Sequence, residues 1–401
     1  MRRVVMITIL TSIAMVLAFQ AACITWFHSP KLQSFTVGFI YDNDESTSYT
    51  YNFALAKEEL EYQLADQFDG RLQVLVKSNV TEDQTTEAVR KLAEDGCSLI
   101  FTNGYSGQFK DAADSYPDIQ FCQVSYYDNS REKLPANYHT FKGEAYQGRY
   151  ICGMAAGLKL DEMIQNGLIG PEDAYAGFVA AHPTTEVISG FTAFALGMRS
   201  IVPEARLRVI YTGSWSNYAL EKAAASKLIR EGCFIISQHS DTIGPASACE
   251  EYTGTPKVYH IGYNQSMMNV APTAALVSCR INWAPYVVGA AEAVLSGEVI
   301  EKRVNGAVHG KNDMSGGFDR GWVEILDLNK VSLPDGADQM MEKTIEMFRK
   351  GTIEVFKGDY TGTDPENPED TIDLRKGYDE NLHCSSPTFH YILDDVIEIL
   401  E

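Results

Sequence analysis

The sequence predicts an α/β protein of two doubly wound lobes, each a parallel sheet covered by helices, and three observations carry that expectation. Short β-branched or aromatic runs alternate with helical stretches from residue 37 onward, the pattern of a parallel sheet with helical crossovers. The alternation restarts after a long helix of small residues around Tyr146 to Leu160. A short segment also recurs at an offset of 136 residues: Lys91-Leu-Ala-Glu-Asp-Gly-Cys97 followed by Ser-Leu-Ile-Phe, and Lys227-Leu-Ile-Arg-Glu-Gly-Cys233 followed by Phe-Ile-Ile-Ser. In each copy a helix is expected to stop on a glycine and lead at once into an apolar strand.

Taken in order, the first lobe begins with a strand from Val37 to Tyr41 and a helix carrying Phe53, Ala56, Leu60 and Leu64 on one face. A strand from Leu72 to Val76, a helix through Ala88 and Leu92, and strands from Ser98 to Thr102 and Ile119 to Tyr126 follow. The second lobe has strands at Ala176 to Ala180, Leu207 to Tyr211, Phe234 to Ser237, Val258 to Ile261 and Leu276 to Ser278. The expected division is 36–140 with 275–305 in the first lobe, and 141–270 with 306–350 in the second.

Beyond residue 350 the composition turns acidic, with 13 Asp+Glu against 3 Lys+Arg in the last 51 residues. The Pro-rich acidic run at 361–370 reads as a linker, and Phe389 to Leu400 as a short docking helix. Spaced carboxylates there lack the glycine and glutamate spacing of an EF-hand, so a solvated acidic surface is expected and no metal.

The chain of 401 residues carries 33 Lys+Arg against 54 Asp+Glu, a net charge of −21. Such a polyanion without a basic run lacks the phosphate-neutralising footprint of a nucleic-acid binder.

Arg2 and Arg3 precede an uncharged apolar stretch from Val4 to Phe27, the layout of an export signal or a retained membrane anchor within residues 1–30. Gln20-Ala21-Ala22 ahead of Cys23 places small residues before a cysteine, as lipoprotein signals do, which makes Cys23 a candidate for lipidation. Seven further cysteines show no CxxC or metal-ligand spacing and read as buried thiols.

In a doubly wound sheet the loops at the strands' carboxyl ends face the ligand crevice. Here those loops hold Asp42-Asn43 with Ser48-Tyr49-Thr50-Tyr51, then Thr102-Asn103-Gly104-Tyr105, and Tyr126-Tyr127-Asp128. The second lobe adds Ser214-Trp215, Gln238-His239-Ser240-Asp241, Gly262-Tyr263-Asn264 and Asn282-Trp283. This rim of rings, amides and carboxylates suits a flat heterocycle, stacked on its faces and hydrogen-bonded along its edge. Tyr41 and Tyr263 fit equally well as strand-end core residues. His239 beside Asp241 raises a hydrolytic dyad, but no nucleophile stands in a strained-turn motif, so no catalytic residue and no cofactor are expected.

Several colinear stretches stand out over roughly residues 36 to 350. They are Tyr41-Asp42-Asn43 with Tyr49-Thr50-Tyr51, Tyr146-Gln-Gly-Arg-Tyr-Ile-Cys-Gly-Met-Ala-Ala156, and Ala176-Gly-Phe-Val-Ala-Ala-His-Pro-Thr-Thr-Glu-Val-Ile-Ser-Gly190. Ala195 to Ser200, Gly213 to Trp215, Gln238 to Asp241, Ile261 to Asn264 and Asn282 to Tyr286 continue the series, and together these stretches resemble the basic membrane protein (PnrA-like) family of ABC-transporter substrate-binding lipoproteins.

The resemblance implies a type I periplasmic-binding fold, two lobes joined by hinge strands that close on a purine and hand it to permease subunits. It places Tyr49 and Trp215 as stacking rings from opposite lobes, and Asp42 and Asn43 as the polar pair of the first strand loop. Tyr51, Asn103, Gln238, His239, Asp241, Tyr263 and Asn264 complete the candidate ligand-binding set. Asn264 stands where nucleoside binders carry an aspartate for the ribose, and Ile281 replaces a lysine, which favours a free nucleobase. A sugar or signalling-molecule receptor of the same fold is the alternative. The expected partners are a purine, a permease and, through the anchor, the membrane; the chain is expected to act as a monomer.

Overall fold

The computed structural model describes residues 34–68, 71–128 and 133–401. The expected anchor, Cys23 included, lies outside the described residues. Strands β1 (Phe35–Ile40), β2 (Leu72–Lys77), β3 (Leu99–Thr102), β4 (Gln120–Val124) and β5 (Tyr138–Gly143) alternate with helices α1 (Ser48–Phe68), α2 (Thr85–Glu94) and α3 (Gly107–Ser115). Helix α4 (Ala145–Gln165) leads into β6 (Tyr175–Ala180), α5 (Thr185–Arg199), β7 (Arg206–Tyr211), α6 (Tyr218–Arg230) and β8 (Ile235–His239). Next come α7 (Gly244–Glu251), β9 (Tyr259–Tyr263), β10 (Ala275–Ile281), α8 (Ala284–Ser296) and α9 (Ile300–Arg303). The chain continues through β11 (Ala307–His309), β12 (Asp313–Gly316), β13 (Val323–Leu326) and α10 (Ala337–Arg349). It ends with β14 (Thr361–Thr363), β15 (Thr371–Asp373), β16 (Ile392–Leu393) and β17 (Ile397–Leu400).

Two seven-stranded sheets form, ordered β11-β12-β5-β4-β3-β1-β2 and β13-β10-β9-β8-β6-β7-β17. Pairing is parallel except for β11 with β12 and β13 with β10. The two-lobe α/β expectation therefore holds, and the recurrent segment ends both helices alike. Gly96 at φ 84° and Gly232 at φ 86° occupy the left-handed region. Their amides and those of Cys97 and Cys233 bond back to Ala93, Ile229, Leu92 and Leu228, closing the same helix-stop motif twice.

The strands correct the expected lobe boundaries. β10 lies between β9 and β13 in the second sheet, while β11 and β12 join the first through β5. The chain crosses between sheets at 143–145, 281–284 and 316–323. These crossings lie side by side: the Glu144 amide donates to Gly316 O at 2.9 Å and the Asn282 amide to Trp322 O at 2.8 Å.

The acidic extension is folded. β15-β14-β16 make a small sheet, and β17 adds parallel to β7 as the edge of the second sheet. The expected linker at 361–370 and helix at 389–400 are corrected accordingly, because Ile397 and Ile399 find an open strand edge to pair with. Phe389, Leu393, Val396 and Ile397 enter the second-lobe core.

α4 and α5 pack unusually close. A Cβ at Gly153 would stand 2.0 Å from Phe194 O, and one at Gly197 2.0 Å from Tyr150 O. The small-residue run that the sequence showed in α4 is what allows this approach. Phe53, Ala56, Leu60 and Leu64 of α1 are buried as expected, against Trp283, Tyr286 and Val287. All seven described cysteines are free and buried. No described helix is long and apolar enough to cross a membrane.

Candidate ligand-binding site

A cavity of about 250 Å³ opens at the carboxyl ends of the strands, between the lobes. Larger hollows of about 770 and 450 Å³ lie elsewhere, beside α1 and α8 and between α4 and the acidic extension. Of these three hollows, the inter-lobe cavity is the one that sits where both sheets aim their loops.

The first lobe contributes Asp42, Asn43, Tyr49, Tyr105 and Tyr126 to its wall; the second contributes Glu186, Trp215, His239, Asp241, Tyr263 and Asn264. Eight of the eleven residues expected from the sequence therefore meet on one surface. Tyr49 and Trp215 reach it from opposite lobes.

Three expected residues do not line it. Tyr51 is 41% exposed, two positions beyond Tyr49 on α1 and so on another side of the helix. Asn103 is fully buried and acts as a brace: its Oδ1 accepts from the Asp42 amide at 3.1 Å and its Nδ2 donates to Thr50 Oγ1 at 3.2 Å. Gln238 is buried too, its Nε2 donating to Ser240 O and Thr242 O, each at 2.8 Å. It shapes the loop that carries Asp241.

The first-lobe wall is held rigidly. The Tyr49 hydroxyl donates to Asn103 O at 3.0 Å and lies 2.8 Å from the Tyr126 hydroxyl, which also bonds to Asn103 O. Burial raises both phenols well above their usual range, so both stay neutral. The Tyr49 ring meets Trp283 edge-on at 6.3 Å. Across the cavity Trp215, 40% exposed, rests 5.3 Å from the His182 ring and 6.3 Å from that of His239.

Charge under the cavity is arranged in layers. The Arg149 guanidinium lies over the Tyr263 ring at 3.5 Å and its Nη1 donates to Gln238 O at 2.8 Å. Lys142 of the first lobe reaches Glu186 of the second, Nζ to Oε2 2.8 Å. Burial first, then the charges of Arg149 and Lys142, hold His239 well below its ordinary value, so its imidazole is neutral. Burial raises Asp42 and pushes Asp241 up to about 7. Asn264 adopts φ 65°, a left-handed conformation that asparagine tolerates, and its amide donates to Cys279 O at 2.9 Å. Ile281, at 1% exposure, belongs to the first-lobe core.

Tyr105, Tyr126 and Glu186 are the lining residues that sequence reasoning did not assign to the site. The tyrosines stood in the strand-end loops already singled out. Glu186 follows β6; it stood within the family-like stretch from Ala176 to Gly190, but in none of the strand-end loops singled out for rings and amides. Among the described residues the one cluster of possible metal ligands is Asp364, Asp370 and His390, in the extension and away from this cavity.

A family model described as ABC transporter substrate-binding protein PnrA-like matches residues 33–352. A purine-binding protein of Brucella abortus is 28% identical over 326 residues, 80% of this chain and 83% of that protein. A putative ABC transporter glucose-binding protein of Haloferax volcanii is 28% identical over 233 residues, 58% of this chain and 54% of the other. Among solved structures, an ABC transporter solute-binding protein from Conexibacter woesei has the same fold, with a TM-score of 0.62 at 18% identity over 80% of this chain and 98% of its own. These are transport binding proteins and not enzymes. With the matched segment spanning both lobes and all three crossings, the chain belongs to the PnrA-like family of ABC transporter substrate-binding proteins.

Proposed function

We propose that this protein is the extracytoplasmic receptor of an ABC transporter and captures a purine, a nucleobase in preference to a nucleoside, by closing its lobes on the ring. The carrying observation is that Tyr49 and Trp215, one from each lobe, bound the same cavity. A nucleobase has about 10 heavy atoms; at a ceiling of roughly 1.5 kcal/mol per atom, micromolar affinity of about 8 kcal/mol requires contact on nearly every side. One lobe cannot supply that contact, whereas closure brings a ring to each face and shifts the population toward the closed form.

The size of the cavity, about 250 Å³, is below the roughly 300–1,000 Å³ usual for drug-sized ligands, which supports a bare bicycle. Asn264 in place of an acid and the buried Ile281 in place of a cation leave no charged pair for a ribose. The name of the Brucella relative supports the purine class. In this reading the anchor from Val4 to Phe27, lipidated at Cys23 or retained whole, holds a monomer at the outer face of the membrane, where the loaded form meets its permease.

Isothermal titration of the protein with adenine, hypoxanthine, guanine and their nucleosides tests the reading. Heat is expected with a base and less with its nucleoside; no heat with any of them overturns it. The Haloferax relative is named for glucose, so glucose belongs in the same series. Heat with glucose alone would move the protein to the sugar reading.

A further inference from the structure

The carboxylates of the cavity wall bear on which purine fits. Three hydrogen-bond donors at or behind the wall are already engaged. The Tyr49 and Tyr126 hydroxyls face Asn103 O and each other, and Lys142 is committed to Glu186.

Two carboxylate oxygens are open. Glu186 gives Oε2 to Lys142 at 2.8 Å, while its Oε1 stands 3.8 Å from His239 Nε2, beyond hydrogen-bond reach. Asp241 takes Ser48 Oγ on Oδ1 at 3.1 Å, and among the described residues no donor meets its Oδ2. Asp42 adds a third carboxylate to the same wall. A carboxylate oxygen without a protein donor is free to accept a ligand N–H, whereas a ligand carbonyl placed there sets acceptor against acceptor.

We infer that the site selects a purine bearing an exocyclic amine over an oxopurine, with Glu186 and Asp241 as the specificity-determining residues that accept the ligand's N–H groups. The inference rests on the purine reading and deepens it. Both carboxylates belong to the second lobe, so that lobe reads the edge of the ring while Tyr49 and Trp215 hold its faces. The same excess of negative charge turns away a phosphorylated form of the ligand. The neutral His239 beside Glu186 does not neutralise that charge; burial, with Glu221, Asp42 and Glu186 adding to it, raises Asp241 to about 7, and an N–H accepted on its Oδ2 favours the charged form in the complex.

Adenine and hypoxanthine differ at one ring position, amine against carbonyl, and make the test. Titration calorimetry of the wild-type protein is expected to give adenine at least tenfold tighter binding than hypoxanthine, the scale of one hydrogen bond to a charged group, with no heat from adenosine monophosphate. Glu186→Gln and Asp241→Asn are expected to weaken adenine about tenfold and to narrow the adenine-to-hypoxanthine ratio, because an amide can donate to a carbonyl. Hypoxanthine binding as tightly as adenine overturns the inference and leaves purine capture standing, and so does a ratio unmoved in both variants. Absence of heat with every purine removes the purine reading itself. Circular dichroism checks that the variants fold; the wild-type ratio decides the matter if they do not.

Discussion

Ser48 of the first lobe is bonded twice to Asp241 of the second: its Oγ donates to Asp241 Oδ1 at 3.1 Å and its amide to the Asp241 carbonyl at 3.2 Å. Ser48 begins α1 and Asp241 follows β8, so this double contact fastens the mouth of the cavity with the lobes together. A ligand that needs both lobes binds only the fraction of molecules in which they meet.

Ser48→Ala keeps the backbone bond and loses the hydroxyl one. About 1 kcal/mol is expected to leave the closed form, so apparent affinity for the ligand falls about fivefold. The measurement is titration calorimetry with a melting curve beside it; an unchanged dissociation constant rejects the latch.

Asp241 also gives stability a dependence on pH. Burial, with Glu221, Asp42 and Glu186 adding to it and the Ser48 bond opposing, pushes its carboxyl up to about 7. The folded protein thus holds a proton that the unfolded chain releases near pH 4, and stability from this group declines as pH rises from about 4 to about 7. Asp241→Asn removes the titration, so calorimetric melting temperatures should fall less steeply over that window than in wild type. Glu380, pushed up to about 6 by burial, acts with the same sign and is common to both proteins.

Trp215→Ala separates binding from folding. The ring is 40% exposed, so its loss should move the melting temperature by no more than a few degrees. Ligand affinity should fall at least about tenfold, the scale of one stacked ring. Equal affinity in titration would remove Trp215 from the site.

Gly153→Ala probes the opposite case. Its added methyl group meets a backbone carbonyl oxygen at 2.0 Å, which no rotamer can relieve. A loss of roughly 1–3 kcal/mol or more is expected in urea unfolding, with α4 and α5 forced apart.

Local signals made the alternation, the paired glycine stops and the buried face of α1 legible in the sequence. They failed at β5, whose Tyr-His-Thr-Phe-Lys-Gly run looks half polar. The partners of that strand are distant in the chain: His139 meets Glu301 at 2.5 Å, Thr140 meets Asp313 at 2.7 Å and Lys142 meets Glu186 at 2.8 Å. The lobe boundaries beyond residue 275 failed for the same reason, since only pairing across the fold tells which sheet a strand joins. At the site, strand and helix periodicity already separates Gln238 from His239 and Tyr51 from Tyr49, a step the loop-by-loop reading did not take. Asn103 was legible as important but not as a brace, because its role depends on where Thr50 and Asp42 come to lie.

The tie of Glu144 to Gly316 and of Asn282 to Trp322 has a mechanical consequence. Three segments bound flank to flank behave as the spine of a book: shear between the covers would break those bonds, and rotation about the spine keeps them. The lobes are therefore expected to move by rotation about this spine, and a spectroscopic distance between the outer margins of the two covers follows that motion.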